Sequence, residues 1–203
     1  MAELSTIQDN SKSDYYFSVD VETDGPIPGP YSLLTFALVA IGKYDGQKFT
    51  RVEPTSFTAR LRPISEMFEP EALRVNGLDR EALFREGDEP AVAMTKAARW
   101  IKATAGEYTP ILVAYPLGFD WAWLYWYFVR YSASGVPFKH SGGFDIKTAF
   151  AVKSGLPLCE ARKSTMPSDL RGVEAHKHEA LADAVEQGEI FARLFSWRSC
   201  PAG

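Results

Sequence analysis

Cysteine is scarce in this sequence, and so are the features of secreted and membrane proteins. The 203 residues contain two cysteines, Cys159 and Cys200. Two distant thiols are too few for a disulfide framework or a cysteine-based zinc cage, and they fit a reducing compartment. No apolar run reaches the roughly 18 residues that a membrane span needs. The first residues, MAELSTIQDNSKSD, lack a basic segment followed by an apolar one. We therefore expect a cytoplasmic protein without a membrane partner.

Positive charge is not in excess either. The chain has 22 Lys and Arg residues and 26 Asp and Glu residues, which gives a net charge of −4. This balance argues against a protein that grips long duplexes with a broad basic surface. Nucleic acid is not excluded, because divalent cations bound at carboxylates reverse the local field. The length fits one domain, which we place at 14–198, between loose tails at 1–13 and 199–203.

The pattern of strands and helices predicts a mixed α/β fold. Aromatic and β-branched runs predict strands at 14–22 and 33–42, and a third extended segment at 48–63 that Pro54 interrupts. Short connections predict that these strands pair antiparallel. The later predicted elements are a short helix at 70–78, an amphipathic helix at 89–106, a strand at 109–116, an aromatic helix at 120–135, a short strand and helix within 143–155, and a last helix at 176–197. This order indicates a mixed sheet with helices on its faces.

The first predicted strand ends in carboxylates, within the stretch YYFSVDVETDG. Alternate residues of a strand share a face, so Asp20 and Glu22 project together while Val19 and Val21 face the other way. One interpretation is a solvated strand end that runs into a turn, since acidic residues before Gly and Pro are common in turns. The other interpretation is half of a metal site.

Two further acids and a histidine lie at helix starts. Asp120 follows a short apolar strand, where it is either a helix cap or one of the functional groups that open α/β sheets place at strand ends. Asp183 lies in the last helix, and His178 precedes it by five residues. That spacing lets a side chain at the helix entry lean over Asp183, although a surface or capping histidine is the alternative. The apolar face predicted for this helix consists of Leu181, Val185, Phe191, Leu194 and Phe195.

Three segments, taken together, resemble a known enzyme family. DVET at 20–23, GFDWAWL at 118–124 and HEALAD at 178–183 resemble the motifs of the DnaQ-like DEDDh 3′-to-5′ exonucleases, which include ribonuclease T, oligoribonuclease and polymerase proofreading domains. The resemblance runs in order across residues 15–195. It implies a ribonuclease H-like sheet in which three antiparallel strands are followed by parallel ones.

The resemblance also implies a set of site residues. Two divalent cations, Mg²⁺ or Mn²⁺, would be held by four carboxylates, those of Asp20, Glu22, Asp120 and Asp183. His178 would be the general base, Thr23 would lie near the terminal nucleotide, and Phe119 would pack against a base. Such a site hydrolyses single-stranded RNA or DNA from the 3′ end by a two-metal-ion mechanism and releases nucleoside 5′-monophosphates.

Some features leave alternatives open. Many relatives carry a His-Asn-Ala type stretch where this chain has Tyr115, Pro116 and Leu117, which puts local substrate contacts in doubt. A nucleic-acid-binding module without catalysis, or a phosphodiesterase specific for short or cyclic oligonucleotides, are the alternative functions. The aromatic helix is either a core helix or an interface, in a homodimer or with bases. Asp145 is a fifth candidate acid, for which we expect a structural role.

Overall fold

The protein is built around one mixed sheet, seen in a computed structural model that describes residues 13–171 and 179–197. Its six strands are β1 (Asp14–Thr23), β2 (Leu33–Tyr44), β3 (Phe49–Arg51), β4 (Ser56–Arg60), β5 (Thr109–Ala114) and β6 (Gly143–Asp145). The strand order is β3-β2-β1-β5-β6, and β4 also pairs with β2. The ribonuclease H-like mixed sheet expected from the sequence is confirmed.

The antiparallel part of the sheet follows from its turns. The side chain of Asp45 accepts hydrogen bonds from the backbone N–H groups of Gln47 and Lys48, which fixes the turn after β2. β3 and β4 lie end to end along the same edge of β2, and both are antiparallel to it. The segment that contains Pro54 separates them, because proline cannot donate to a ladder. β5 and β6 then add parallel to β1, beyond the antiparallel part.

Helices cover both faces of the sheet. Those described are α1 (Pro70–Asn76), α2 (Arg80–Glu86), α3 (Pro90–Ala105), α4 (Leu117–Tyr131), α5 (Ile146–Ser154) and α6 (Ala180–Ser196). Val19 and Val21 belong to the core under α3 and α4. Tyr16 and Ile41 belong to a second core, with α5 and α6. Residues of β1 therefore alternate between two cores, and the sequence predicted this alternation.

Three helices differ from their predicted form. α2 was not predicted, because Arg80–Glu86 is short and lies between two stronger helix patterns. α4 begins at Leu117, three residues earlier than predicted. α6 begins at Ala180. The residues 172–178 lie outside the described part of the chain, and so does the predicted start of α6.

The part of α6 that lies against β2 carries small residues, so the predicted apolar face was wrong in part. Val185 is 44% exposed, whereas Phe191 and Leu194 are buried as predicted. Three small residues spaced four apart on α6 lie against the sheet: Ala180, Ala184 and Gly188. A Cβ added at Gly188 would lie 3.3 Å from the side chain of Ile41. Small residues are needed at these positions because α6 and the sheet approach each other closely. The periodicity of apolar residues in the sequence does not indicate how close two elements come.

The aromatic helix α4 packs into the core. Trp123, Tyr127 and Phe128 are fully buried, while Val129 is 63% exposed. The Tyr127 hydroxyl accepts a hydrogen bond of 2.8 Å from the backbone N–H of Leu33, which ties α4 to the start of β2. The core-helix interpretation accounts for these side chains. A homodimer stays a prediction.

Two further expectations concern the whole chain. In residues 13–171 and 179–197, no helix combines the length and the apolar character that crossing a membrane requires. The predicted single domain at 14–198, with tails at 1–13 and 199–203, stays a prediction, because nearly all of the tail residues lie outside the described part.

Candidate active site

Three acidic side chains meet where α6 crosses the end of β1. Asp20 and Glu22 project from the same face of β1, and Asp183 lies in the first turn of α6. One carboxylate oxygen from each of these residues lies within 4.8 Å of the other two. The interpretation of Asp20 and Glu22 as a solvated strand end is therefore wrong. Asp183, which lies far away in the sequence, faces both of them.

The fourth predicted ligand, Asp120, approaches from α4. It is only 6% exposed. The backbone groups of Asp120 itself and of Val21, which lies between the two acids of β1, partly oppose the rise that burial causes in the pKa of Asp120. The helix-cap interpretation of Asp120 was wrong, because α4 starts earlier and Pro116 is at its N-cap. Asp120 is not part of the 4.8 Å group, but its charge raises the pKa of Asp20.

Burial and mutual repulsion make these acids hard to ionise in the absence of a cation. Burial, followed by the charges of Asp120, Glu22 and Asp183, raises the pKa of Asp20 to about 9. Burial also raises the pKa of Asp120 to about 8 and, together with the charge of Asp183, that of Glu22 to about 7. The nearby ammonium of Lys163 opposes the rise for Asp20 and Asp120. A bound cation would supply the compensating positive charge.

The donor set suits hard divalent cations. Mg²⁺ and Mn²⁺ prefer oxygen ligands, and Asp20, Glu22 and Asp183 offer carboxylate oxygens from three directions. Because the acids are partly buried, less water competes with them for a cation. The raised pKa values of Asp20 and Glu22 show that the protein supplies too little positive charge to balance these carboxylates. The residues therefore fit a divalent metal centre, and Asp120 is close enough to affect it electrostatically.

Gln187 was missed by the sequence interpretation, although it contacts the central acid. Its Nε2 donates to Asp20 Oδ1 at 3.0 Å, and its Oε1 accepts from the backbone N–H of Tyr115 at 2.6 Å. The N–H of Tyr115 is a donor only, so the amide has one possible orientation. Gln187 lies four residues after Asp183 on α6 and shares its face. That spacing was the signal available in the sequence.

A partly buried ion pair lies beside this cluster. Lys163 belongs to a 3₁₀ turn at Lys163–Thr165, and its Nζ lies 2.6 Å from a carboxylate oxygen of Glu186. The Tyr115 hydroxyl donates to the carbonyl of Ala161 at 2.6 Å, which fastens this turn to the end of β5. The segment before α6 thus brings a lysine to the acids, although no short motif around Lys163 indicates it.

Thr23 and Phe119 lie beside Glu22, and their predicted contacts with substrate stay a prediction. Both line a depression of about 330 Å³, together with Glu22 and Asn76. The Thr23 hydroxyl donates to the carbonyl of Gly25 at 2.8 Å, and Phe119 is 43% exposed. The side-chain amide of Asn76 donates to the carbonyl of Thr23 at 3.0 Å, so the end of α1 supports this depression.

A buried ion pair holds the loop next to this depression. Asp24, the third acid of the first strand end, is fully buried and lies 2.8 Å from Nε of Arg80. The Asp24 side chain also accepts from the backbone N–H of Ser32, across the proline-rich loop at 26–31. Arg80 reaches back to the carbonyls of Ser65 and Met67. Asp24 thus has a structural role, whereas Asp20 and Glu22 belong to the acidic cluster.

The two remaining candidates have different outcomes. Asp145 accepts hydrogen bonds of 2.6 Å from the backbone N–H groups of Thr148 and Leu117, so it caps α5 and supports the start of α4. Its expected structural role is seen. His178 lies outside the described residues, directly before Glu179 at the N-cap of α6. Its role as the base stays a prediction.

Fold and site together define a class of protein, namely ribonuclease H-like proteins in which a strand of the sheet ends in an acidic cluster that suits divalent cations. The 3′-5′ DNA exonuclease Cap18 of Escherichia coli is 35% identical to this chain over 181 residues, which cover 88% of this chain and 90% of Cap18. The chain therefore belongs to the DnaQ-like DEDDh 3′-to-5′ exonucleases, which are hydrolases that act on nucleic acids.

Solved structures share the fold. The nuclease domain of 3′hExo, a DEDDh family member bound to rAMP, superposes with a TM-score of 0.65 at 13% identity, covering 93% of this chain and 94% of that one. E. coli exonuclease I in complex with a dT13 oligonucleotide gives a TM-score of 0.65 at 15% identity, covering 92% of this chain and 41% of that one. No family profile matches the sequence.

Proposed function

We propose that this exonuclease removes nucleoside 5′-monophosphates from the 3′ end of single-stranded DNA, with two divalent cations as cofactors. The observation that carries the proposal is the gathering of Asp20, Glu22 and Asp183 at one point, with their oxygens within 4.8 Å of each other. DNA is the preferred substrate class because Cap18, the relative at 35% identity, is a DNA exonuclease. RNA is the substrate to compare.

The four carboxylates would hold the cations. Asp20 would be central among them, since the charges of Asp120, Glu22 and Asp183 all raise its pKa and a cation would supply the missing positive charge. When bound, Mg²⁺ or Mn²⁺ ions supply charge that stabilises both the attacking and the leaving oxygen of an in-line phosphoryl displacement. Gln187 would hold one oxygen of Asp20, so that the other is directed to a cation.

His178 would act as the general base for the attacking water. An imidazole with an ordinary pKa near 6.5 is largely neutral at pH 7.5 and can accept a proton there. The support for this role is the motif HEALAD, in which His178 precedes Asp183 by five residues. The proton would pass from water to the imidazole as water attacks the terminal phosphorus, and the 3′ oxygen of the shortened strand would leave.

The terminal nucleoside would lie in the depression beside Glu22. Thr23 and the exposed ring of Phe119 line it. Aromatic rings stack on unpaired bases of any sequence, which suits an enzyme that removes one nucleotide after another. A catalytically inactive binding module is not favoured, because each of the four acids is present and three of them share one site.

The test is hydrolysis of a 5′-labelled single-stranded oligonucleotide in Mg²⁺ or Mn²⁺. Wild-type protein should shorten the labelled strand stepwise and release mononucleotides. Asp20→Asn should reduce the rate below about 1% of wild type, because a neutral amide cannot hold a hard cation as a carboxylate does. His178→Ala should reduce it by about 10² to 10⁴, the usual range for a general base.

The matched control is His140→Ala, since His140 is exposed and remote in sequence from the three motifs; it should retain wild-type activity. Full activity in both Asp20→Asn and His178→Ala would contradict the site. A panel of DNA, RNA, dinucleotide and cyclic dinucleotide substrates separates the proposed activity from a phosphodiesterase restricted to short or cyclic substrates.

A further inference from the structure

A second groove opens on the other side of Glu22. Its volume is about 300 Å³, and Glu22 lines both this groove and the depression that contains Thr23 and Phe119. The floor of the groove is formed by β2 and β4, and one wall by the start of α6, with Ala180 and Leu181. Glu22 therefore lies between two concave surfaces of similar size.

The strand register places an arginine in this groove, in line with Glu22. Glu22 of β1 is paired with Thr35 of β2, and Thr35 is paired with Arg60 of β4. Directly paired residues of antiparallel strands project from the same face. The three residues thus form one row across the sheet, and two strand spacings put the Cα of Arg60 about 10 Å from that of Glu22.

Arg60 faces the groove without a protein counter-ion. It is exposed, and in the described part of the chain its guanidinium takes part in no ion pair or side-chain hydrogen bond, although Glu179 lines the same groove. The hydroxyl groups of Thr35 and Thr58 lie on the same floor. Other arginines in the described part of the chain have anionic partners, as Arg80 has in Asp24 and Arg51 in Glu189.

We propose that this groove is a phosphate-binding subsite for the substrate strand, in which Arg60 binds a phosphate on the 5′ side of the scissile bond. The inference rests on the proposed function, which puts the 3′-terminal nucleoside in the depression on the Thr23 side of Glu22. In a 3′-to-5′ exonuclease every other nucleotide lies 5′ of the scissile phosphate, so the strand must leave across the other side of the acids. The groove lies on that side, and a planar guanidinium suits a phosphate.

An alternative explains Arg60 by stability alone. Positive charges on edge strands hinder unwanted strand pairing, and β4 has no strand on its outer side among the described residues. That role needs only a charge, and it predicts no dependence on the number of phosphates in the substrate. The two explanations therefore differ in a measurable way.

The first test is binding of a 5′-fluorescein dT12 oligonucleotide, followed by fluorescence anisotropy in Ca²⁺ over a series of NaCl concentrations. Arg60→Ala should raise the Kd about tenfold at low salt, as expected for the loss of one hydrogen-bonded charge. It should also reduce the slope of log K against log salt by about 0.7, which corresponds to one phosphate contact on a single strand. Lys96→Ala is the matched control, because Lys96 is exposed on α3, on the opposite face of the sheet.

The second test compares dT12 with the dinucleotide dTpdT, whose only phosphate is the scissile one. Arg60→Ala should lower kcat/KM for dT12 about tenfold, mainly through KM, and leave the value for dTpdT within about twofold of wild type. An equal loss on both substrates would overturn the subsite, because Arg60 would then act on the scissile phosphate or on the fold. The melting temperature of Arg60→Ala should match that of wild type.

The outcomes separate the two proposals. If wild-type protein shortens DNA while Arg60→Ala binds and cleaves dT12 as wild type does, the subsite is refuted and the exonuclease function stands. If wild-type protein neither binds nor shortens the oligonucleotide, the proposed function and the subsite are both refuted.

Discussion

At the scale of single residues, the site depends on side chains that hold the proposed metal ligands in place. Asp20 is both the most crowded acid and the one with a fixed hydrogen-bond donor, Gln187. Gln187 is 2% exposed, and both ends of its amide are used. A second hydrogen-bond partner of this kind orients a ligand and commonly contributes a factor of 10 to 100 in metal affinity.

Gln187→Leu should therefore weaken Mn²⁺ binding by about 10- to 100-fold, measured by isothermal titration calorimetry. The substitution removes the donor to Asp20 and leaves the Tyr115 N–H without its acceptor, so a loss of about 1–3 kcal/mol in stability should accompany it. Gln47→Leu, in the exposed turn after β2, should change neither quantity. An unchanged Mn²⁺ affinity in a less stable Gln187→Leu protein would show that Gln187 supports only the fold.

At the scale of secondary structure, the site depends on how closely α6 approaches the sheet. α6 carries Asp183 and Gln187 on the face that bears Ala184 and Gly188. Ala184 is fully buried against Ala37 and Val39 of β2. A larger side chain there would push the helix outward, and with it Asp183, one of the proposed metal ligands.

Ala184→Leu should lower the free energy of unfolding by about 1–3 kcal/mol, measured by urea denaturation, because the added atoms have no space. Mn²⁺ affinity should fall as well, since Asp183 moves with the helix. Val185→Ala, at the neighbouring position, should change stability by no more than about 0.5 kcal/mol, because Val185 is 44% exposed. Similar losses in both variants would contradict the packing described for α6.

At the scale of the whole molecule, the acidic cluster links stability to pH and to metal. Asp20, Asp120 and Glu22 have pKa values raised to about 9, 8 and 7 in the fold, whereas free carboxyls titrate near pH 4. Above pH 4 the unfolded chain is stabilised because its carboxyls lose their protons, whereas the folded chain keeps these protons until pH 7 to 9. The contribution of the cluster to stability is thus fully present below about pH 4 and is lost as pH rises through the folded pKa values.

In EDTA, ionisation of the cluster should therefore lower the melting temperature of the wild-type protein by on the order of 5 °C or more between pH 5 and pH 9. Asp20→Asn should reduce this fall, because an amide does not ionise and its oxygen still accepts from Gln187. Millimolar Mg²⁺ should restore the melting temperature of wild type at pH 9 but not that of Asp20→Asn. A wild-type pH profile that matches that of Asp20→Asn in EDTA would contradict the pKa values given for the cluster.

The periodic features of the chain were predictable residue by residue. Alternation placed Asp20 and Glu22 on one face of β1, Pro70 and Gly77 marked the ends of α1, and Pro54 marked the break between β3 and β4. Each of these signals acts through bonds or neighbours within a few residues. The family motifs extended the prediction to the site, because they connect distant positions that periodicity alone cannot relate.

The features that failed or were missed depend on contacts between elements. Val185 was assigned to the core because it is apolar, but it is 44% exposed, and small residues such as Ala184 and Gly188 take the positions of α6 that lie against β2. Gln187 and Arg60 carry no motif, and their positions became evident only from hydrogen bonds to Asp20 and from strand pairing through Thr35.

The sequence by itself determined which residue types are available and how they alternate: strands with two different faces, helices with marked ends, and acids at the end of the first strand. Only the tertiary structure decided that Asp183 meets Asp20 and Glu22, that Asp24 pairs instead with Arg80, and that Arg60 lies in line with Glu22. The physical reason is the distance along the chain over which each kind of interaction acts. Backbone preferences act over a few residues, whereas the register of the sheet and the close packing of α6 bring together groups that are far apart in the chain.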